Sequence, residues 1–260
     1  MPPNYAGLKP CSTLAVSRIM NKPSDRASGS TFVQSVLDLN PRLAVFDCDG
    51  TLWAGDAGEG FFYWAMQHGL MAKDVAAWAL ARYGDYKDGK VDEETMCGEM
   101  VTVHAGFPVA ELERGAEEFF REKIAMHIFP PMQELAMELA DIGCALWAVS
   151  STNEWVIRAG ARRFGIPPEH VLAACAASED GRCSSRLLMV PTDEGKAVVL
   201  HERFPEGTID VAFGNTVHDV AMLELARHAF AISPDSSLES IARERGWRIY
   251  EPDRESRSDE

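Results

Sequence analysis

Leu43-Ala44-Val45-Phe46-Asp47-Cys48-Asp49-Gly50-Thr51-Leu52 is the stretch on which the fold turns. Four apolar residues, entered from Pro41 and left through a polar Asp-Cys-Asp-Gly corner, form the pattern of a short buried strand. Asp47 and Asp49 then stand at its end. Two carboxylates one residue apart repel each other and both lose water, so burial there demands a partner. A divalent cation meets the demand, and hard oxygen ligands favour Mg²⁺ over softer metals. A plain Asp-Gly β-turn is the competing reading of this stretch alone.

Downstream, residues 57–128 read as mostly helical, acidic and without a strand signal. Phe61, Trp64, Ala65 and His68 recur at helical spacing, as do Leu112, Ala116, Phe119, Phe120 and Lys123. After Pro130-Pro131 strands and helices alternate: helix 132–141, strand 144–149, helix 154–164, a hairpin (171–177 and 183–190), helix 193–201, strand 209–213, helix 217–227, strand 229–232, helix 236–245 and strand 248–250. Such alternation means right-handed βαβ units and a parallel sheet, with ligands at the carboxyl ends of its strands. The expected fold class is α/β, a doubly wound parallel sheet with a small helical cap inserted after the first strand. The expected division is a mobile leader over residues 1–30, a catalytic core over 31–54 and 130–260, and a cap over 55–129. The leader is rich in Pro, Ser, Gly and Asn.

The 260 residues carry a formal net charge of −15, which argues against nucleic acid and anionic membranes as partners. It leaves room for an anionic substrate, since a bound cation reverses the local sign. The longest apolar runs are strand-sized, so no membrane-spanning helix is expected, and no secretory signal opens the chain. Six cysteines without a CxxC pair fit a reducing, cytoplasmic setting. Cys175 and Cys183 either face each other across the hairpin or serve as small hydrophobes.

Three further polar clusters fall near predicted strand ends. Ser150 ends the strand 144–149 and leads into Ser151, Thr152 and Asn153 at a helix start, where hydroxyls and free amides suit either a phosphate or ordinary capping. Lys196 stands in the first turn of a helix, where a cation gains nothing from the helix dipole; viewed alone it reads as a solvated surface lysine. Gly214-Asn215-Thr216-Val217-His218-Asp219 sets an amide and a carboxylate four residues apart on a strand-to-helix turn, where capping is again the plain alternative.

Taken in order, Asp47-x-Asp49-Gly50-Thr51, Ser150, Lys196 and Gly214-x-x-x-x-Asp219-x-x-Met222-Leu223 resemble the motifs of the haloacid dehalogenase superfamily of phosphohydrolases. About 100 residues separate the first two motifs, similar to the phosphoserine phosphatase-like branch, which carries its helical cap there. The resemblance spans about Leu43 to Tyr250. It implies a phosphomonoester hydrolase of small metabolites working through an aspartyl-phosphate. Asp47 is then the nucleophile, Asp49 the acid and base, Ser150 a phosphoryl-oxygen ligand, and Lys196 the neutralising cation. Mg²⁺ is held by Asp47, the Asp49 carbonyl, Asn215 and Asp219. Thr51, Asp56, Glu59, Ser151 and Asn153 are the expected substrate contacts. Asp56 matches a position that meets a substrate ammonium in phosphoserine phosphatases, so a phosphorylated amino acid or amino alcohol is the expected substrate. As the start of a helix, Asp56 and Glu59 serve the dipole equally well.

Phosphoryl transfer asks mainly for alignment and charge neutralisation, and a carboxylate nucleophile divides hydrolysis into two easier steps. Two departures stand out. Asn215 replaces the usual Asp of the last motif and removes one negative charge from the metal site. Ser151-Thr152 replaces a Gly-Gly pair and narrows the room beside the phosphate. The loss at Asn215 motivates an alternative, a catalytically weak relative that binds a phosphorylated ligand or partner. Phe61-Phe62-Tyr63-Trp64 forms either an aromatic wall for an organic cation or cap packing, and Trp155 is expected to look into the cleft.

Overall fold

The computed structural model describes residues 29–252. The leader expected over residues 1–30 lies outside the described residues, save Gly29 and Ser30. These two open a helix that the periodicity did not announce, α1 (Gly29–Leu37). Its apolar face, Phe32, Val33 and Val36, is buried against the sheet.

The strands are β1 (Leu43–Phe46), β2 (Ala145–Asn153), β3 (Val171–Glu179), β4 (Arg182–Met189), β5 (Ile209–Gly214), β6 (Ala226–Ile232) and β7 (Arg248–Tyr250). They form one sheet in the order β4-β3-β2-β1-β5-β6-β7. Every neighbouring pair is parallel except the hairpin β3–β4. Burial on both faces explains why the central strands read as unbroken apolar runs. Ala44, Phe46, Leu146, Ala148, Val211 and Phe213 face one core, and Val45, Trp147, Val149 and Ala212 face the other. Phe46 stacks on Phe213 at 4.6 Å, and Phe213 on Phe230 at 5.0 Å, tying three adjacent strands together.

Between β1 and α6 (Pro130–Asp141) lie α2 (Ala57–Gln67), α3 (Lys73–Lys87), α4 (Glu93–Thr102) and α5 (Val109–Phe119). Asp56 and Asp92 cap α2 and α4, each accepting a backbone N–H three residues on at 2.8 Å. Pro130 and Pro131 open α6, where their missing N–H groups cost nothing. The remaining helices are α7 (Glu154–Ala161), α8 (Glu194–Arg203), α9 (Val220–Glu224) and α10 (Ser236–Arg245). α7 packs on α5, and at Gly160 a Cβ would stand 2.6 Å from the ring of Phe120, just past α5, and 2.7 Å from the Trp53 ring. Helix α4 rests on β3 and β4, with Leu187 pressed against Gly98.

Three sequence expectations shift. The helix expected over 217–227 shortens to a 3₁₀ turn and α9, because β6 pairs with β5 from Ala226 onward. Strand pairing here overrides a helical pattern. Strand β2 runs on through Asn153, with its register against β3 slipping between Ser150 and Asn153. Cys175 pairs with Met189 and Cys183 with Ser178, so the two cysteines are not cross-strand partners. All five described cysteines are free. No helix among the described residues is long and apolar enough to cross a membrane.

Candidate active site

At the end of β1 the Asp47 N–H still donates to Phe213 O at 2.9 Å, so the sheet fixes this backbone. The turn beyond is tight. Leu52 N–H reaches Cys48 O at 2.8 Å, and Gly50 adopts a φ of +79°. A left-handed residue with no Cβ is needed there twice over, since a Cβ on Gly50 would fall 1.9 Å from Asn215 Nδ2. The Asn215 amide thus lies against the Asp49–Gly50 turn.

Both oxygens of Asp47 are engaged. Oδ2 accepts from Thr51 Oγ1 at 2.9 Å, and Oδ1 accepts from Lys196 Nζ at 2.7 Å. The same ammonium reaches Asp219 Oδ1 at 2.5 Å. Lys196 is 2% exposed, so its place in a first turn is explained by two buried carboxylates and not by solvent. Burial lowers the affinity of Lys196 for its proton. The charges of Asp219 and Asp47 more than reverse this and hold the ammonium protonated. Burial, then the charge of Asp219, pushes the Asp47 carboxyl up to about 6 against the pull of Lys196.

Asp219 does not face the cavity. Its Oδ2 accepts the backbone N–H groups of Asn215 at 2.8 Å and Thr216 at 3.0 Å, closing a capping box with Thr216. A Cβ on Gly214 would collide with Asp219 Cβ at 2.5 Å, so the Gly214 corner and this carboxylate require each other. Asp219 holds the loop that presents Asn215 and anchors Lys196.

Asp49 is held by three donors. Oδ1 accepts from Trp53 Nε1 and from the Ala57 N–H, both at 2.7 Å, and Oδ2 accepts from Thr152 Oγ1 at 2.8 Å. Desolvation and the nearby charge of Asp56 nevertheless push it up to about 7. Ser150 is buried, and its Oγ accepts the Thr152 N–H at 3.1 Å, leaving its own proton free to donate.

These groups open on one cavity of about 410 Å³. Asp47, Asp49, Ser150, Ser151, Asn153, Lys196 and Asn215 line it, as do Asp56 and Glu59 from α2. Thr51 is fully buried behind Asp47 and takes no part in the wall. Asn153 caps α7 by accepting the Val156 N–H at 3.1 Å, and Asp56 caps α2; both remain in the wall, so capping and exposure to the cavity coexist.

Sequence reasoning named Thr152 for its bulk but not for its partner, and it missed several other wall residues. Thr152 turns to Asp49, and Gly58 makes room for it: a Cβ on Gly58 would lie 2.8 Å from Thr152 Oγ1. Its side chain therefore orients Asp49 in addition to occupying space. An aromatic wall exists, but Tyr83 and Tyr86 of α3 supply it. Phe61, Phe62 and Trp64 are core, and Trp155 is buried against His104. Glu93, Met96, Cys97 and Met100 of α4 also line the cavity, as do Thr216 and His218 from the turn after β5. A helical period with Tyr at 83 and 86 was the available signal; which face of α3 meets the cavity was not.

Among the described residues no three His, Cys, Asp or Glu side chains group as a metal site. The donors that do face the cavity beside Asp47, the Asn215 amide and the Asp49 turn, are hard oxygen groups bearing little formal charge. They fit an oxygen-ligated cation such as Mg²⁺ in kind.

Comparison with known proteins agrees with this geometry. The family model for haloacid dehalogenase-like hydrolases matches residues 44–224, and the chain belongs to that family. It is 29% identical to a histidinol-phosphatase of Neisseria meningitidis over 80% of this chain and 97% of that one. It is 30% identical to a phosphoserine phosphatase of Mycobacterium tuberculosis over 88% of this chain and 77% of that one. A Bordetella pertussis protein of unknown function superposes with a TM-score of 0.69 at 25% identity, over 81% of this chain and 98% of that one. A substrate-bound phosphoserine phosphatase gives a TM-score of 0.55 at 16% identity, over 81% and 92%, and so shares the fold.

Proposed function

We propose that this hydrolase is a phosphatase that removes the phosphoryl group of a small phosphomonoester through an aspartyl-phosphate on Asp47. The observation that carries the reading is the meeting of Asp47, Asp49, Ser150 and Lys196, from three separate segments, in the wall of one cavity. Relatives named for histidinol phosphate and phosphoserine hydrolysis support it.

In the first step an Asp47 oxygen attacks phosphorus while the bond to the leaving oxygen breaks, and Asp49 gives that oxygen its proton. In the second, Asp49 takes a proton from water as the water oxygen attacks phosphorus, and the bond to Asp47 breaks. Trp53, Ala57 and Thr152 keep Asp49 oriented through both steps. Lys196 balances the nucleophile's charge, and Ser150 donates its free proton to a phosphoryl oxygen. The Asp47 carboxylate, the Asp49 carbonyl oxygen and the Asn215 amide oxygen would hold Mg²⁺, which when bound would help neutralise the phosphoryl charge. Asp219 serves that site through Lys196 and the Asn215 loop.

The helices between β1 and α6 act as a cap over the sheet's carboxyl edge. Asp56 and Glu59 meet a positive charge on the leaving group, as a phosphorylated amino acid or amino alcohol would offer. The unpaired described cysteines accord with a cytoplasmic setting. Asn215 also favours a second reading, a catalytically weak phosphate-ester binder. Hydrolysis of p-nitrophenyl phosphate with and without Mg²⁺ separates the two. Asp47→Asn should lower turnover about 10⁴-fold or more with an unchanged circular dichroism spectrum. Activity of that variant within tenfold of wild type overturns the mechanism.

A further inference from the structure

The wall beyond Asp56 has a chemistry that the proposed reaction does not itself need. Tyr83 and Tyr86 stand 5.7 Å apart between ring centroids, and both line the cavity that holds Asp47. Glu93 lines it too and accepts the Tyr86 hydroxyl, which fixes that ring. Met96 and Met100 supply soft, apolar surface beside them.

Charge at this end is one-sided. Glu59 is matched by Lys87 at 3.8 Å, whereas among the described residues no lysine or arginine pairs with Glu93 or Asp56. The Lys87 ammonium itself sits 5.1 Å from the Tyr83 centroid and 5.9 Å from that of Tyr86, and Lys87 is outside the cavity wall. Both rings therefore already lie near a cation that does not line the cavity.

Building on the phosphatase reading, we infer that Tyr83, Tyr86 and Glu93 form a subsite for a weakly hydrated organic cation on the leaving group, separate from Asp56. Ring faces attract such a cation through their quadrupole, and Glu93 supplies the balancing charge. A quaternary ammonium or ring cation gains more here than a compact ammonium, because it gives up less hydration on entering an apolar wall. A phosphomonoester whose alcohol carries that group is the substrate class.

The test uses phosphocholine and 3,3-dimethylbutyl phosphate, two esters of one shape that differ in charge. Wild type should favour phosphocholine in kcat/KM by about tenfold or more, and Tyr86→Leu and Glu93→Gln should each bring the ratio toward unity. The readout is the ratio between the two esters and not the absolute rate, because both residues line the cavity that holds Asp47. Calorimetric binding of the same two esters to Asp47→Asn reads the subsite without turnover. Absence of any hydrolysis counts against the phosphatase reading, with the binding preference still deciding the subsite. Equal affinity for the two esters, or a preference that survives both substitutions, overturns the subsite.

Discussion

Replacing Lys196 with Met should weaken the fold as well as stop the chemistry. The ammonium lies 2.7 Å from Asp47 Oδ1 and 2.5 Å from Asp219 Oδ1, almost without exposure. One cation serves two carboxylates, so the cluster already holds a net negative charge. Taking the cation away leaves two carboxylates facing each other in a site that water barely reaches. Breaking a buried pair in this way costs about 3–5 kcal/mol. Against a typical stability of about 5–15 kcal/mol, the variant stays folded with a lower urea midpoint. The deficit should be relieved by neutralising one of the two carboxylates. Asp219→Asn is suited to this, because the amide oxygen still accepts the Asn215 and Thr216 N–H groups. Lys196→Met with Asp219→Asn should therefore recover about 1 kcal/mol or more relative to Lys196→Met. Urea unfolding followed by tryptophan fluorescence, with chelator present so that no cation substitutes for the lysine, measures all three proteins. A loss below about 1 kcal/mol in Lys196→Met, or no recovery in the double variant, would refute the shared-cation account.

Asn215→Asp restores a carboxylate beside Asp47 and should lower the Mg²⁺ concentration for half-maximal activity; an unchanged or raised value removes Asn215 from the metal site. Asp56→Asn keeps the α2 cap, since Asn caps as well as Asp, while deleting the charge. It should raise KM for a substrate with a cationic leaving group and leave p-nitrophenyl phosphate hydrolysis nearly unchanged; an equal fall in both would place Asp56 in the catalytic machinery. His104 is buried, its Nδ1–H donating to Leu70 O at 2.7 Å, and desolvation lowers its pKa to about 4. Its folded pKa lies below the unfolded value, so its contribution is complete above about pH 6.5 and is lost as pH falls through about 4. His104→Asn should accordingly show a shallower loss of stability over that window, by about 3 kcal/mol, in unfolding curves taken from pH 7 to 4; parallel curves would contradict the assignment.

Much of the fold was legible in the sequence because local chemistry wrote it. The run 43–46 and the alternation after Pro130 define strands buried on both faces, and Gly50 and Pro130 mark a turn and a helix start by backbone rules. Asp47, Asp49, Ser150 and Lys196 were legible as an order of motifs. Their physical meaning was not, because each cluster taken alone reads equally well as a cap or a surface charge. Only the tertiary structure turned Lys196 inward, between carboxylates 149 and 23 residues away in sequence. It likewise set Asp219 to bracing a loop, gave Thr152 to Asp49 across 103 residues, and chose Tyr83 and Tyr86 over Phe61 and Trp64 for the cavity wall. A periodic pattern says that a helix has a buried face, but not what that face is buried against. That depends on how α3 and α4 pack around the cavity, and long-range packing decides it.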